Sequence, residues 1–229
     1  MPRRAKRKAV TEGDEEDSKS ANPSKTARVD GTTSTKDDPV TATTAMPNEQ
    51  QSKSDPKSPK KLIITEEVGD IFDAPDNAVI IHACNCLGHW GAGIAAAFRE
   101  RYPAALKSHE AHCDRFVNKR DLLGTAQLIP PAESNTKRRR HFVGCLFTSC
   151  QYGRKKDSPA AILKHTGPAM IDLLSQVAET QKSSEISEVR MCQINSGLFK
   201  VPWEKTRAIL EDIVLGDGMP EKIRVFSLK

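Results

Sequence analysis

The residues with the most chemical content lie between Ala78 and Tyr102, in the run AVIIHACNCLGHWGAGIAAAFRERY. A buried-strand pattern passes into a loop bearing Gly88, Gly91 and Gly93 and then directly into a helical pattern. That order builds an anion site. Glycines let the backbone approach a ligand closely, and the unpaired amides at a helix start receive phosphate oxygens with the helix dipole behind them. The same glycines also read as a plain tight turn. A second small-residue turn, Asn195-Ser196-Gly197-Leu198-Phe199, follows another apolar run and precedes a helix starting near Trp203. Two such loops in one open α/β sheet meet at its carboxyl edge, where these sheets bind ligands, and could clamp a diphosphate from both sides. Upstream, Asp70 in Gly69-Asp70-Ile71 closes the first strand with an acid that reads as an ordinary turn residue.

Several competing chemistries fail on spacing. The run GHWGAGIA is not GxGxxG, and no second strand ending in an acid follows about 20 residues later to hold a ribose. No GK[ST] completes a Walker loop. No cysteine begins a Cys-x5-Arg motif, since Arg154 stands too close to Cys150, and Asp70 and Asp73 are too far apart for DxD. A zinc set could be assembled from His82, Cys84, Cys86 and His89. Residues 82, 84 and 86 alternate along one buried strand, however, and no second CxxC or HxxxH completes it, so no metal and no cofactor is expected. His109 and His112 in HEAH lack the HExxH spacing and are expected on a solvated helix face.

These loops need elements to hold them. Strand-like runs fall at 62–68, 78–84, 124–130, 141–148, 189–195 and 222–228, with helical candidates near 92–112, 159–180 and 203–214. Pro159 and Pro202 suit helix starts, whereas Pro168 is expected to interrupt or kink its segment. Strands alternating with helices predict a mostly parallel sheet covered on both faces. Residues 1–60 contain no Leu, Ile, Phe, Tyr or Trp and read as a disordered charged tail, leaving 61–229 as one domain. The tail's basic cluster, Arg3 to Lys8, resembles a nuclear localisation signal, and Ser58-Pro59 fits a proline-directed phosphorylation site. With no apolar run approaching about 18 residues, neither secretion nor membrane insertion is expected. The six cysteines sit in apolar runs and read as reduced core thiols. The expected location is the cytoplasm, the nucleus or both. The net charge of +5 is concentrated locally, much of it at Lys137, Arg138, Arg139 and Arg140, a solvated loop or a weak contact for RNA.

GDI after a first strand, an Asn-bearing strand end (HACN), a glycine loop opening a helix (GHWGAGIA) and a late NSGLF loop resemble the four ligand-binding segments of macro domains, in that order. The wording HACNCLGHWGAGIA, with LFTS and NSGLFKVPW downstream, is similar to the fungal ADP-ribose 1''-phosphate phosphatase group of that family. The resemblance covers about residues 62–228 and implies a three-layer α/β fold, a mixed sheet of about six strands between helices. It also implies that Asp70 accepts from the adenine amino group beside Ile71, and that Asn85 sits at the distal ribose. The amides of Trp90, Gly91, Ala92, Gly93, Ile94 and Ala95 would hold one phosphate. Those of Ser196, Gly197, Leu198 and Phe199 would hold the other, with Gly69, Ala83, Cys84, Ile194, Asn195 and Lys200 lining the same site.

His89 and Trp90 occupy part of the glycine triplet found in many members that cleave ADP-ribose from proteins. Phe199 stands where another such branch has an Asp, which counts against protein deADP-ribosylation. The activity implied is metal-independent hydrolysis of the 1''-phosphate of ADP-ribose 1''-phosphate. His89 is its first candidate for proton transfer, and Asn85 orients the nucleophile or holds the phosphate. His89 could instead serve binding alone, and Trp90 is a lid or a packing anchor. A non-catalytic reader of ADP-ribose would use the same cleft. A monomer is expected, with ADP-ribose and its 1''-phosphate as partners and no membrane.

Overall fold

The structure, a computed structural model, describes residues 59–134 and 139–228. The Arg3–Lys8 cluster, Ser58, Lys137 and Arg138 lie outside these residues. All six expected strand runs form strands: β1 (Ile63–Val68), β2 (Val79–Asn85), β3 (Ala126–Ile129), β4 (Phe142–Ser149), β5 (Val189–Cys192) and β6 (Lys222–Ser227). They make one sheet in the order β1-β6-β5-β2-β4-β3, parallel except for the antiparallel pair β3 and β4. The central strands are apolar runs rich in Val, Ile and Phe. Every residue of β4 is buried, as a strand covered on both faces requires.

Four helices cover the sheet: α1 (Ile94–Arg101), α2 (Pro103–Asp114), α3 (Pro159–Thr180) and α4 (Trp203–Glu211). One face packs Ile80, Cys84, Cys145 and Phe147 against Phe98 of α1, Cys113 of α2 and Tyr102 between them. The other packs Val79, Ile81 and Leu146 against Met170, Leu173 and Leu174 of α3 and Leu210 of α4. The result is three layers with a core on each side of the sheet. On the α3 side the approach is closest at Gly144, where an added Cβ would come within 2.9 Å of Leu173 and 3.0 Å of Ile81.

The helices depart from expectation in three places. The single segment expected at 92–112 is two helices, because Pro103 starts α2 at a position that needs no N–H donor, while Tyr102 ends α1 by donating to the Phe98 carbonyl at 2.7 Å. Pro168 does not interrupt α3, which runs unbroken through it. Thr166, Gly167, Ala169 and Met170 are buried around it, and that packing outweighs the roughly 3 kcal/mol a mid-helix proline costs. The helix expected at 203–214, α4, stops at Glu211. Ile213 accepts from the Leu62 amide at 3.1 Å and Val214 bridges Lys61, so the chain leaves the helix to hold the first strand.

His109 also corrects expectation: it is fully buried rather than solvated, because α2 turns Ala105, His109 and Cys113 together onto the sheet. Its ring stacks on Phe147 at 5.4 Å and its Nδ1 lies 3.1 Å from Gln127 Oε1. His112, one turn on, is half-buried. All six cysteines are free, and five are buried. No helix among the described residues is long and apolar enough to cross a membrane.

Candidate functional site

Because β1, β6, β5, β2 and β4 are parallel, their carboxyl ends open on one edge of the sheet. A cleft of about 1390 Å³ runs along that edge. Except for Gly88, the residues singled out from the sequence as site residues line it: Gly69, Asp70 and Ile71 after β1, Ala83 through Asn85 and His89 through Ala95 after β2, and Ile194 through Lys200 after β5.

At the β1 end, Asp70 Oδ1 accepts from the Phe72 amide at 2.9 Å and Oδ2 lies 3.6 Å from the Arg101 guanidinium. Arg101 in turn lies over the Phe72 ring, 4.2 Å from its centroid. The carboxylate is thus held in place with acceptor capacity left over. Phe226, near the end of β6, and Leu228, just past it, complete this wall.

The centre of the cleft holds the two loops. In the first, Gly93 takes φ +60 and no side chain caps the α1 helix it opens. Among the described residues the amides of Gly91 through Ala95 donate to no protein acceptor. Gly88 serves a different purpose from the one expected: it lies outside the cleft lining, and its nearest neighbour is the α2 backbone at Glu110, 3.3 Å from an added Cβ. Trp90 is the packing anchor rather than a lid. Its ring is 2% exposed and edge-on to His82 at 4.8 Å, leaving its backbone at the cleft.

The second loop begins at Asn195 (φ 65) and ends at Lys200 (φ 58), two non-glycine residues in the left-handed region. The surroundings hold Asn195 there. Its buried carboxamide accepts from Thr148 on β4 at 2.9 Å and donates to Thr166 on α3 at 3.0 Å, while its carbonyl accepts from the Val201 amide. Its side chain therefore braces the loop and is not presented to a ligand. The amides of Gly197, Leu198 and Phe199 have no protein acceptor among the described residues. Leu198 reaches across to Gly93, 3.4 Å from an added Cβ there, so the two loops do face each other.

Beyond them lies His89, exposed, its ring edge-on to Tyr152 with centroids 5.5 Å apart. Asn85 holds the backbone beneath it. Asn85 Nδ2 donates to the His89 carbonyl at 2.7 Å, and Oδ1 accepts from the Leu87 and His89 amides at 3.0 and 3.4 Å. Both polar atoms of Asn85 are engaged within the loop, so it positions His89.

Tyr152, Arg154 and Lys156 of the β4–α3 connection also line the cleft and were not singled out from the sequence, where QYGRKKDS reads as a charged surface turn. The available signal was positional: β4 is parallel to β2, so the loop after it must open on the same edge. Arg101, Phe226 and Leu228 were missed as well.

The four-residue zinc set does not assemble. His89 is in the cleft, and the Cys86 thiol donates to the Ser149 carbonyl at 3.5 Å. A different trio, His82, Cys84 and Cys145, has its ligand atoms within 4.8 Å of one another in the core. Burial pushes the Cys84 thiol up to about 12, so it is protonated at neutral pH.

An uncovered helix start facing a second amide-bearing loop, with a carboxylate at one end and Arg101, Arg154, Lys156 and Lys200 around it, defines a binding cleft for an anionic nucleotide. The Macro domain family model matches residues 81–210, and the chain belongs to the macro domain family. An ADP-ribose 1''-phosphate phosphatase of Chaetomium globosum is 49% identical over 166 residues, covering 70% of this chain and 89% of that one. Another of the same name, from Aspergillus fumigatus, is 40% identical over 187 residues, covering 69% and 93%. Among solved structures, the macrodomain of Thermus aquaticus DarG superposes with a TM-score of 0.52 at 15% identity, over 72% of this chain and 98% of that one. Thermosipho africanus DarTG in complex with ADP-ribose gives 0.54 at 14% identity, over 75% and 44%. These two share the fold.

Proposed function

We propose that this protein hydrolyses ADP-ribose 1''-phosphate to ADP-ribose and inorganic phosphate. The observation that carries the reading is the order of groups along the cleft: an acceptor carboxylate, two opposed amide loops, then an exposed imidazole. Relatives of 49% and 40% identity bearing the name of that activity support it.

In this reading the adenine amino group donates to Asp70, and the diphosphate lies between the amides of Gly91–Ala95 and Gly197–Phe199. The distal ribose then falls at the His89 end. Water adds to the phosphorus of the 1''-phosphate and the bond from phosphorus to the sugar oxygen breaks. His89 moves the proton, taking it from the attacking water or delivering it to the leaving oxygen. Its exposed ring, on a backbone fixed by Asn85, favours turnover over binding alone.

The deciding measurement is phosphate release from ADP-ribose 1''-phosphate in chelator, beside calorimetric binding of ADP-ribose, for wild type and His89→Ala. The expected result is release that falls at least about 100-fold in the variant, within the range of general acid–base catalysis, while ADP-ribose still binds. Binding with no release by the wild type would make the protein an ADP-ribose reader instead.

A further inference from the structure

The β4–α3 connection, residues 150–158, is an arm with a fixed base and a cationic tip. At the base, Asp157 Oδ2 accepts from the Cys150 amide at 2.5 Å and from Ser149 Oγ at 3.2 Å, and the Asp157 amide donates back to Ser149 Oγ at 3.1 Å. Arg120 lies 3.8 Å from the other oxygen of Asp157. The Cys86 amide, in the loop that carries His89, donates to the carbonyls of Ser149 and Cys150, both at 3.2 Å. The arm and the His89 loop are therefore one unit. Out of this base project Tyr152, set against the His89 ring, and then Arg154 and Lys156, which line the cleft. Neither cation pairs with a carboxylate among the described residues. The acid nearest in sequence, Asp157, is engaged at the base. Lys155, between them, is exposed and does not line the cleft.

Position along the sheet assigns these cations to one end of the ligand. Asp70 follows β1, and the arm follows β4, four strand spacings away across β6, β5 and β2, or about 19 Å at about 4.8 Å per spacing. Whatever lies with its base at Asp70 and its diphosphate between the two glycine loops turns its far end toward Arg154 and Lys156. ADP-ribose has neutral hydroxyls there, whereas its 1''-phosphate carries a doubly charged group. Unpaired guanidinium and ammonium groups on a fixed loop match the phosphate and gain little from the hydroxyls.

We propose that Arg154 and Lys156 are the specificity determinants of the cleft, reading the terminal phosphate so that the phosphorylated ligand is preferred to ADP-ribose itself. The inference rests on the ligand orientation given above for the proposed function. It also explains how the phosphate is retained without a side chain from either glycine loop, and how product leaves once the charge they hold is gone.

The test is calorimetry with ADP-ribose and with an analogue carrying a non-hydrolysable phosphonate at C1'', so that turnover does not enter. Wild type, Arg154→Ala/Lys156→Ala and Lys155→Ala would be compared in the full-length chain. The wild type is expected to bind the phosphonate at least about tenfold more tightly than ADP-ribose, with that margin narrowing as salt is raised. The double variant should lose the margin, its phosphonate affinity falling at least about fivefold more than its ADP-ribose affinity, and Lys155→Ala should keep it. Equal affinities in the wild type, a margin that survives the double substitution, or equal loss in Lys155→Ala would each overturn the assignment. If the wild type shows the arm-dependent margin but releases no phosphate, the specificity stands and the phosphatase reading falls.

Discussion

Two side chains at the cleft make separable contributions. Asp70 is held by the Phe72 amide and Arg101 with acceptor capacity to spare, so Asp70→Ala should weaken ADP-ribose binding about 10- to 100-fold, as loss of a hydrogen bond to a charged group implies, with little change in kcat. Calorimetry and steady-state kinetics separate the two. Asn85 works through the loop it braces. Asn85→Ala should lower kcat for phosphate release about tenfold or more while ADP-ribose affinity changes less, because the loop loses three hydrogen bonds at once, two of them on the His89 backbone. The positions of these residues were legible in the sequence, since glycine spacing and strand ends fix where a backbone can approach a ligand. Their orientations were not. An Asn at a strand end reads the same whether its carboxamide faces a ligand, as expected of Asn85, or turns inward onto Thr148 and Thr166, as Asn195 does. Arg154 and Lys156 were illegible for a related reason: a lysine or arginine in a polar run carries no sign of which way its loop leans.

Between elements, the narrowest tolerance is where α3 crosses β4. Gly144→Ala would force its new methyl group against Leu173 and Ile81, and a destabilisation of about 1–3 kcal/mol is expected by thermal or denaturant unfolding. A second inter-element contact carries a pH dependence. His141, just before β4, is buried, with Nδ1 2.7 Å from the Tyr102 hydroxyl at the α1–α2 break and Nε2 3.1 Å from the Ala74 carbonyl. Burial, with Arg139 and Arg190 nearby, holds its imidazole below the ordinary range against the weaker opposing pull of the Ala74 carbonyl and Asp76. The neutral form is therefore favoured in the fold. As pH falls below about 6.5 the unfolded chain takes up a proton that the folded chain resists, so stability should fall from there down to the lowered folded-state value. His141→Asn should flatten part of that slope in melting curves taken from pH 7.5 to 5.5. The strands themselves were readable because β-branched runs bounded by Gly, Pro and Asn have few alternatives. The α1–α2 break was marked by Pro103 but masked by pattern, because Phe98, Tyr102, Ala105 and Leu106 keep one helical spacing across it.

For the whole molecule, the sheet has a complete core on each face within the described residues, and the cleft is built entirely from them. A fragment of residues 59–229 should therefore unfold cooperatively and bind ADP-ribose within about twofold of the full chain, which calorimetry on both would check. The three-layer class followed from the alternation of strands and helices, but the strand order did not, since periodicity carries no record of which strand lies beside which. That order places β1 at an edge, with β6 as its one neighbour in the sheet among the described residues. About 150 residues of chain separate the two. A ribosome adding about 5–20 residues per second leaves β1 without its partner for about 8 to 30 seconds. Both glycine loops emerge in that interval, yet of the wall of Asp70, Phe226 and Leu228 only Asp70 has been made. The nascent chain therefore carries an unpaired β1 edge, and it has no complete nucleotide site until the last strand has been made.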